Sequence, residues 1–570
     1  MGREIDGHHC NIHTLTLKSM HQVTLVWDMA VVKLEHFLRA ASDIAENGDN
    51  DTLPFDIDTR FVEENSVALS EIAANYFEKL EKAGSKNALA SIESLEVFSE
   101  RLLTPTGPAG FRITTKIHPF WNLYFNGLGV AIAEALEPRR SARAMSYRFA
   151  PEGNNLFKRE ASWRNYLEAS IENLEPSDEQ TIVIKTDIAS FYDHAYHHRI
   201  ENLLEDFFPK DQSTIAVQVD RFLSRFASGR SFGLPVGGQC SRILAEVLMA
   251  SVDAKLIDEG VNFYRYVDDF TIIAKDSADS YRALSTLSNA LADYGLTLNR
   301  TKTITLSARH YKEYVALQLG DEVDDESRPL REVDLYFDPY SDNPADNFEE
   351  LRAAVRQIDV QKLLRLELDK SKPDAFIVSQ ISRTLRFHPP EITKQLIYTL
   401  LEPKNLQAFR GSWSTIMRGI AVIRGDETFK EAHEILDQIL DSVPEHSPHL
   451  LIPDTNILFF LKTLRWHRTD KRAQFVSSVY NNASSKTVKR ACIECGCEWK
   501  QRSSFTAIRN QWNNLDAEVQ RMLWYHAEAF GDEGRHFRKQ TRRSVPNLWR
   551  LGFETDSDKP SFAVLYADWH

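Results

Sequence analysis

The sequence contains few cysteines and no long apolar run. Five of its 570 residues are cysteine, which is too few for a disulfide framework in a chain of this length. No stretch approaches the roughly 20 apolar residues that a membrane-spanning helix needs, and the opening residues MGREIDGHHC lack the apolar block of a signal peptide. These absences predict a cytoplasmic protein without a membrane partner.

The chain also lacks an excess of positive charge. Its net charge is −14, which argues against a protein that coats duplex DNA through a globally basic surface. Two local segments, 137–149 and 534–550, nevertheless interleave Arg and Lys with aromatic residues that could stack on bases. A composition of 42% hydrophobic and 26% charged residues indicates a soluble globular protein with room for several domains.

Hydrophobic spacing divides the chain into four regions. Apolar residues three and four positions apart predict helices in the N-terminal region, 1–103. Strand and helix patterns alternate over 104–320, an acidic, proline-containing connector covers 321–347, and helical patterns return over 348–570. Segments such as FIVSQISRTLRF and EITKQLIYTLLE are typical of stacked helix pairs, although no clean repeat period is visible. The sequence therefore predicts an α+β fold with an α-helical, repeat-like C-terminal domain.

Two adjacent aspartates interrupt an apolar run, FYRYVDDFTIIA, at residues 263–274. Neighbouring carboxylates repel each other and resist burial, and aspartate is depleted in strands. The flanking residues predict two short strands, 262–267 and 270–274, with Asp268 and Asp269 at the tip of a hairpin. Two carboxylates at such a tip can hold Mg²⁺. The alternative is an ordinary tight turn with two solvated acids.

A third acid, Asp187, ends the apolar strand pattern of TIVIKTDIASFYD, residues 181–193. A lone acid there would be interpreted as a helix N-cap, because 189–194 can begin a helix. The pair of aspartates follows 81 residues later, however, and a central sheet could bring both strand ends together. Carboxylates that converge in this way can hold two metal ions for in-line phosphoryl transfer.

Four blocks, DIASFYD, GLPVGGQCS, YVDD and GLTLNRTKT, occur in the order and spacing of the sequence blocks of reverse transcriptases. The chain resembles this family over about residues 105–310. The resemblance implies a right-hand polymerase core of fingers and palm, built from an antiparallel sheet and helices. It also implies a nucleotidyltransferase, an RNA-directed DNA polymerase that consumes dNTPs and produces DNA.

The same resemblance implies roles for the acidic residues and one lysine. Asp187 and Asp268 resemble the two main metal ligands of the family, and Asp269 the third catalytic acid. The implied cofactor is a pair of Mg²⁺ ions, with Mn²⁺ as a substitute, and Ile188 would join the aspartates as a ligand. Lys302 resembles the lysine placed near the departing pyrophosphate, so the implied catalytic set is Asp187, Asp268, Asp269 and Lys302.

Five further residues are implied to bind the incoming nucleotide. Tyr192 lies where the family places an aromatic gate against the sugar 2′-OH. Arg148, with Arg143 as the weaker choice, resembles the basic side chains of the fingers that hold the triphosphate. Val236 and Gly237 belong to the glycine-rich turn that packs on the nascent base pair. The commoner family pattern has Gln at the position of Val236, and this departure weakens the expectation of ordinary template-directed copying.

Several features are similar to the bacterial abortive-infection and defence-associated reverse transcriptases. These are SYRF near an aromatic-rich insert, SFYDHAYHH after the first acid, SRILAE after the glycine-rich turn, and the long helical half. The similarity implies antiphage defence, a homo-oligomer, and DNA synthesis that is protein-primed, untemplated or templated on an associated noncoding RNA. Two alternatives stay open: a retron- or intron-type templated enzyme, and a catalytically idle fold that serves as a nucleic-acid-binding scaffold.

Three histidines form a weaker metal pattern. His194, His197 and His198 have the spacing i, i+3, i+4, which would place them on one face of a helix. A solvated or phosphate-facing helix start is favoured over a zinc site.

Three of the cysteines are clustered in ACIECGC, as Cys492, Cys495 and Cys497. Neither a second CxxC nor a histidine pair accompanies them, so small residues on a buried helix are favoured over structural zinc. Cys10 and Cys240 stand alone.

Overall fold

The computed structural model describes residues 32–153, 155–319, 327–333, 335, 344–554 and 560–569. Cys10 and most of the predicted acidic connector lie outside the described residues.

The N-terminal region is helical and leads into a β-hairpin. Its first four helices are α1 Leu34–Asn47, α2 Ile57–Glu64, α3 Ser66–Ala83 and α4 Ser85–Glu93. The strands β1 Ser99–Thr106 and β2 Gly110–Ile117 pair antiparallel, so the boundary predicted after residue 103 lies inside β1. Helix α5, Pro119–Leu136, follows, and it is buried on nearly every side because its sequence is apolar around its whole circumference.

The central region contains a four-stranded antiparallel sheet with strand order β4-β5-β3-β6. The longest helix of this region contributes Ile243, Leu244, Val247 and Leu248 to the core, and all four are buried. The elements of this region are α6 Trp163–Ile171, β3 Ile182–Asp187, α7 Phe191–His194, α8 His197–Glu205, α9 Ile215–Phe226, α10 Gln239–Asp258, β4 Phe263–Tyr266, β5 Asp269–Ala274, α11 Ser277–Ala292, β6 Ile304–Ser307 and α12 Ala308–Leu319.

The described residues after α12 form helices and their connections, without a β-strand. Five of these helices pack in a row, each against the next: α16, α19, α21, α23 and α25. The helices are α13 Arg328–Glu332, α14 Pro344–Arg356, α15 Val360–Asp369, α16 Ala375–Thr384, α17 Pro390–Leu401, α18 Pro403–Ala408, α19 Trp413–Gly425, α20 Lys430–His446, α21 Asp454–Leu464, α22 Asp470–Asn482, α23 Lys486–Glu498, α24 Arg502–Arg509, α25 Ala517–His526, α26 Gly531–Thr541, α27 Val545–Leu548 and α28 Phe562–Asp568.

The helical C-terminal half contacts the rest of the chain at several places, among them β1 and α2. The carboxylate of Glu100 on β1 accepts hydrogen bonds from the backbone N–H groups of Lys486 and Thr487, at 2.7 and 2.8 Å, and so caps the start of α23. At the end of the chain, the ring of Phe61 on α2 packs against Tyr566, with ring centroids 4.7 Å apart. One apolar core therefore includes the N-terminal helices, the central region and the last helices.

The α+β fold with a helical C-terminal region is confirmed. Among the helices in the described ranges, none has both the length and the apolar composition needed to cross a bilayer.

Candidate active site

The three aspartates meet because β3 and β5 are antiparallel neighbours. Asp187 is the last residue of β3 and stands opposite Asp269, the first residue of β5. Asp268 precedes Asp269 in the turn that joins β4 to β5. The sheet thus brings together the strand end and the hairpin tip that the sequence predicts.

The turn that carries Asp268 has a strained backbone. Val267 has φ of +57°, a left-handed conformation that is a genuine outlier for a β-branched residue. Both of its backbone groups are held: its N–H donates to Ser146 Oγ at 2.9 Å, and its carbonyl accepts from the Arg265 guanidinium at 2.8 Å. Such strain persists only where the surroundings fix the conformation.

A buried ion network supports these two contacts. Arg265 is fully buried and donates to Asp253 at 2.6 and 2.8 Å and to Glu246 at 2.8 and 3.1 Å. Ser146 Oγ donates to Glu246 at 2.6 Å. Burial alone would raise the pKa of Glu246, but Arg265 and Arg140 outweigh it and lower that pKa. We define Ser146, Glu246, Asp253 and Arg265 as the turn clamp, and sequence reasoning missed all four residues.

The carboxylates place negative charge where little water reaches. Burial, followed by the charges of Asp269 and Asp187, raises the pKa of Asp268 to about 6. Lys185 Nζ lies 3.3 Å from an oxygen of Asp269. Lys302 Nζ contacts Asp187, and this hydrogen bond raises the pKa of Lys302. Two lysines thus offset part of the charge of the three acids.

The site fits divalent metal ions. Asp187 Oδ1 is buried and accepts no hydrogen bond from any described residue, and an unpaired buried carboxylate oxygen is costly unless something binds it. Carboxylate and carbonyl oxygens are the ligands that Mg²⁺ prefers. The side chain of Ile188 is buried and apolar, so only its backbone carbonyl could serve as a ligand.

Tyr192 lies close to the acids, whereas the glycine-rich turn contacts the N-terminal region and β2. Burial, followed by neighbouring Tyr147, raises the pKa of Tyr192 well above its usual value, and Asp268 is among the groups close enough to contribute. Gly237 has φ of +120°, and a Cβ there would lie 2.1 Å from Asn50 Nδ2. The carbonyl of Val236 accepts hydrogen bonds from Thr115 N at 3.1 Å and Asn50 Nδ2 at 3.3 Å. This turn is therefore fixed against the N-terminal region and β2.

The two arginines predicted to hold the triphosphate are engaged elsewhere in this structure. Arg148 pairs with Glu137 at 2.8 Å and donates to the carbonyl of Ser141 at 2.7 Å. Arg143 donates to the carbonyl of Val261 at 2.9 Å. The contacts of both arginines therefore hold the loop between α5 and α6 and do not include the aspartates.

Arg242 is a basic residue near the nucleotide side that sequence reasoning missed. Its guanidinium lies over the ring of Tyr147, 5.2 Å from the centroid, and it also contacts Asp51. Tyr192 is among the groups that influence its pKa. The sequence block SRILAE contains Arg242 and could have indicated this residue.

The histidines do not share a helical face, so that expectation is wrong. His194 ends α7 and Ala195 is extended, which separates it from His197 at the start of α8. His197 is buried and its Nε2 donates to the carbonyl of Gly233 at 2.8 Å. His198 is exposed and pairs with Glu201 and Asp220 at 3.1 and 3.2 Å.

The clustered cysteines are small buried residues of α23, as favoured above. Cys492, Cys495 and Cys497 are each at most 4% exposed. Cys495 Sγ donates to the carbonyl of Leu461 at 3.2 Å. Burial raises the pKa of all three thiols, which disfavours the thiolate that zinc requires.

Comparison with known proteins identifies the class. Residues 126–325 match the family model described as reverse transcriptase (RNA-dependent DNA polymerase). This matched segment contains all three aspartates and Lys302. No curated protein matches the sequence.

Solved structures of telomerases are among those similar to this chain. The telomerase of Candida albicans in complex with the TWJ fragment of telomeric RNA is 12% identical, with a TM-score of 0.30, over 61% of this chain and 65% of that one. Apo telomerase from Candida tropicalis is 16% identical, with a TM-score of 0.28, over 64% of this chain and 68% of that one. This chain thus spans less than two thirds of the first of these structures, and we derive no substrate or partner from the likeness.

Proposed function

We propose that the protein is a bacterial antiphage-defence reverse transcriptase that adds dNTPs to a growing DNA with two Mg²⁺ ions, for which Mn²⁺ can substitute. The polymerase mechanism is supported above all by one observation: Asp187 and Asp269 stand opposite each other, and Asp187 Oδ1 is buried without a partner. Asp187, Asp268, Asp269 and the carbonyl of Ile188 would hold the metal. Metal bound there would neutralise charge on the attacking and leaving oxygens.

The side chains around the acids have separable tasks in this mechanism. Lys302 is 66% exposed, and Asp187 is its ion-pair partner among the described residues, so its ammonium could turn toward a departing pyrophosphate. The Lys302 ammonium then stabilises the leaving group by charge and can supply a proton. Tyr192 limits the space beside the sugar, while Val236 and Gly237 shape the surface under the base.

The metal assignment is tested by removing two carboxylates. Asp268→Asn combined with Asp269→Asn should abolish incorporation of labelled dNTPs, because amides bind Mg²⁺ poorly. Asp293→Asn is the matched control, since Asp293 is an exposed partner of Lys255 on the palm surface, and it should retain activity. Incorporation by the double variant at the wild-type rate, with both proteins folded, would show that the metal site lies elsewhere.

The biological part of the proposal rests on the sequence blocks shared with defence-associated enzymes. It includes a cytoplasmic location, a homo-oligomer and an associated noncoding RNA. Sequencing the nucleic acid that copurifies with the protein would identify such an RNA. Light scattering that finds only monomers, alone and with this nucleic acid, would refute the oligomer.

The primer is proposed to be a hydroxyl of the protein or of a bound RNA. Three observations support this: Val236 replaces the usual Gln, a helical half follows Lys302, and the net charge of −14 gives little general affinity for duplex. A Tyr or Ser hydroxyl can attack once metal lowers its pKa. Purified enzyme should make DNA from labelled dNTPs without added oligonucleotide, and protease or RNase should shorten the product. Product that needs a primer-template and carries neither peptide nor RNA would refute this.

A further inference from the structure

Three neighbouring cavities meet at one arginine of the C-terminal half. Arg418 on α19 lines all of them, and their volumes are about 410, 230 and 220 Å³. The cavity of 230 Å³ lies between the β1–β2 hairpin and α19 to α21, and that of 220 Å³ lies between α16 and α19. The three cavities therefore adjoin one another at Arg418.

Arginines dominate the walls of the two smaller cavities. Of the described residues that line them, Asp51 is the only acidic one, and it already pairs with Arg242. Such a local excess of positive charge contrasts with the overall charge of −14. We call the five basic residues of these walls the arginine trench: Arg112, Arg383, Arg386, Arg410 and Arg418.

Arg418 shares a cavity with Asp51, whose charge acts to raise the pKa of Arg418, but the two side chains do not form an ion pair. Within the described ranges it makes no hydrogen bond or ion pair, and its guanidinium stacks over the ring of Phe459, 4.9 Å from the centroid. Partial burial and the charge of Arg383 lower the pKa of Arg418. Arg383 and Arg418 are close enough for their positive charges to repel each other, and Arg418 stacks on an aromatic ring. A bound phosphate group would stabilise this arrangement.

The trench leads back to the polymerase site. The largest of the three cavities is lined by both Arg418 and Arg242. Arg242 lies over Tyr147, and Tyr147 is the nearest charged or polar influence on Tyr192 after burial itself. This cavity is also lined by Asp43, Glu46 and Asp51, and a strand that leaves the sugar gate through it would pass Arg242 before it reaches Arg418.

We propose that the arginine trench binds the phosphate backbone of a single-stranded nucleic acid that extends from the polymerase site to the C-terminal helices. The inference rests on the proposed function, because it takes the strand to be substrate or product of that site. A single strand fits because cavities of a few hundred Å³ accommodate one or two nucleotides, whereas a duplex needs an open groove. The positive charge of the cavity walls favours a polyanion. Contacts to phosphate groups do not depend on base sequence.

Binding of a short fluorescent poly(dT) oligonucleotide, measured over a range of salt concentrations, tests the proposal. Arg383→Gln with Arg418→Gln should weaken binding and make the slope of log K against log salt shallower by about 1.4, or about 0.7 for each lost phosphate contact. Arg383→Lys with Arg418→Lys keeps both charges and should retain the wild-type slope. Arg468→Gln, which removes an exposed arginine paired with Asp470 in the same half, is the matched control.

Two further measurements separate the possible outcomes. The Asp268→Asn, Asp269→Asn variant should bind the oligonucleotide like wild type, so a failure of the polymerase assignment would leave the trench result intact. An unchanged affinity and slope in the glutamine variant, with an unchanged unfolding temperature, would overturn the trench. Equal binding of a polyglutamate peptide of the same charge would overturn its assignment to nucleic acid.

Discussion

Asp268 shows how a single residue can serve chemistry at the expense of stability. Its carboxyl lies beside Asp269 and Asp187 and is largely buried, and these causes raise its pKa to about 6. The unfolded chain has a pKa near 4 for this group. Between these values the folded state binds more protons than the unfolded state, so the stability contributed by this group falls as pH rises through about 4 to 6.

Asp268→Asn should therefore stabilise the metal-free protein at neutral pH. The amide cannot ionise, so the variant avoids a cost of up to about 3 kcal/mol above pH 6. In the presence of chelator, we expect its unfolding temperature to exceed that of wild type at pH 7.5 and to approach it at pH 4. Asp293→Asn should show no such difference. A variant less stable than wild type at pH 7.5 would contradict the electrostatic account of the turn.

Tyr192 carries a second prediction at this scale. Its side chain is largely buried, and Tyr147 and Asp268 are among the groups that influence its pKa, so we expect little room for a 2′-OH beside the sugar. Tyr192→Ala should raise the use of rNTPs relative to dNTPs by the 10- to 200-fold that a pocket change of about 1–3 kcal/mol gives. Tyr192→Phe keeps the ring and should retain discrimination. An rNTP to dNTP ratio that does not change in the alanine variant would exclude Tyr192 as the gate.

At the scale of elements, the β4–β5 hairpin depends on the turn clamp. Ser146→Ala would leave the buried N–H of Val267 without an acceptor, which costs about 1–3 kcal/mol, and would loosen the turn that presents Asp268. We expect kcat to fall while KM for dNTP stays near wild type, because the acids and not the nucleotide surface are displaced.

Ser170→Ala is the matched control for the clamp. Ser170 is also a buried serine of the central region, and its hydroxyl bonds to the Leu167 carbonyl and Tyr311 at 2.7 and 2.8 Å. The control should lose stability to a similar extent and keep kcat. Equal losses of kcat in both variants would mean that the effect is one of general stability.

The strands and turns that carry the motifs could be predicted from the sequence. Most of the contacts between these elements could not. Strand ends and a hairpin tip follow from local alternation and turn signals, so Asp187, Asp268 and Asp269 could be placed in advance. The clamp joins Ser146 to residues of α10 and β4, and such pairings depend on three-dimensional packing that no local pattern reports. Arg265, a charged residue at an inward-facing position of a strand, was the one local sign of it.

Arg143 and Arg148 also show that a local sequence pattern does not reveal the contacts of a side chain in the folded protein. A basic segment near the acids predicted triphosphate ligands, yet carbonyls and Glu137 lie within reach of both guanidiniums. Competition between intramolecular acceptors and a ligand is decided by geometry, which a single sequence does not contain. No sequence pattern predicted the arginine trench, because its arginines are far apart in the chain, at positions 112, 383–386 and 410–418.

At the scale of the whole molecule, a buried ion network joins the N-terminal region to the C-terminal helices. Arg490 on α23 pairs with Asp58 on α2 at 2.8 Å and with Glu518 on α25 at 2.9 Å. Lys116 on β2 lies 3.3 Å from Asp58 and also contacts Asp49. These cations offset the negative charge of the acids around Asp58 and lower the pKa of Asp58. Deletion of 348–570 would remove Arg490 and expose the N-terminal core, so a point substitution tests the role of this half more cleanly.

Arg490→Met should lower the unfolding temperature of the entire chain. Methionine fills similar space but leaves Asp58 and Glu518 buried without a shared cation, and breaking a buried pair in this way costs about 3–5 kcal/mol. Because the network and the apolar core both connect the two halves, we expect one transition to shift as a unit, measured by circular dichroism and by intrinsic tryptophan fluorescence. Arg509→Met removes a more exposed pair with Glu533 and should shift it little. If two separate transitions were seen and Arg490→Met shifted only one of them, the helical half would fold independently of the polymerase core.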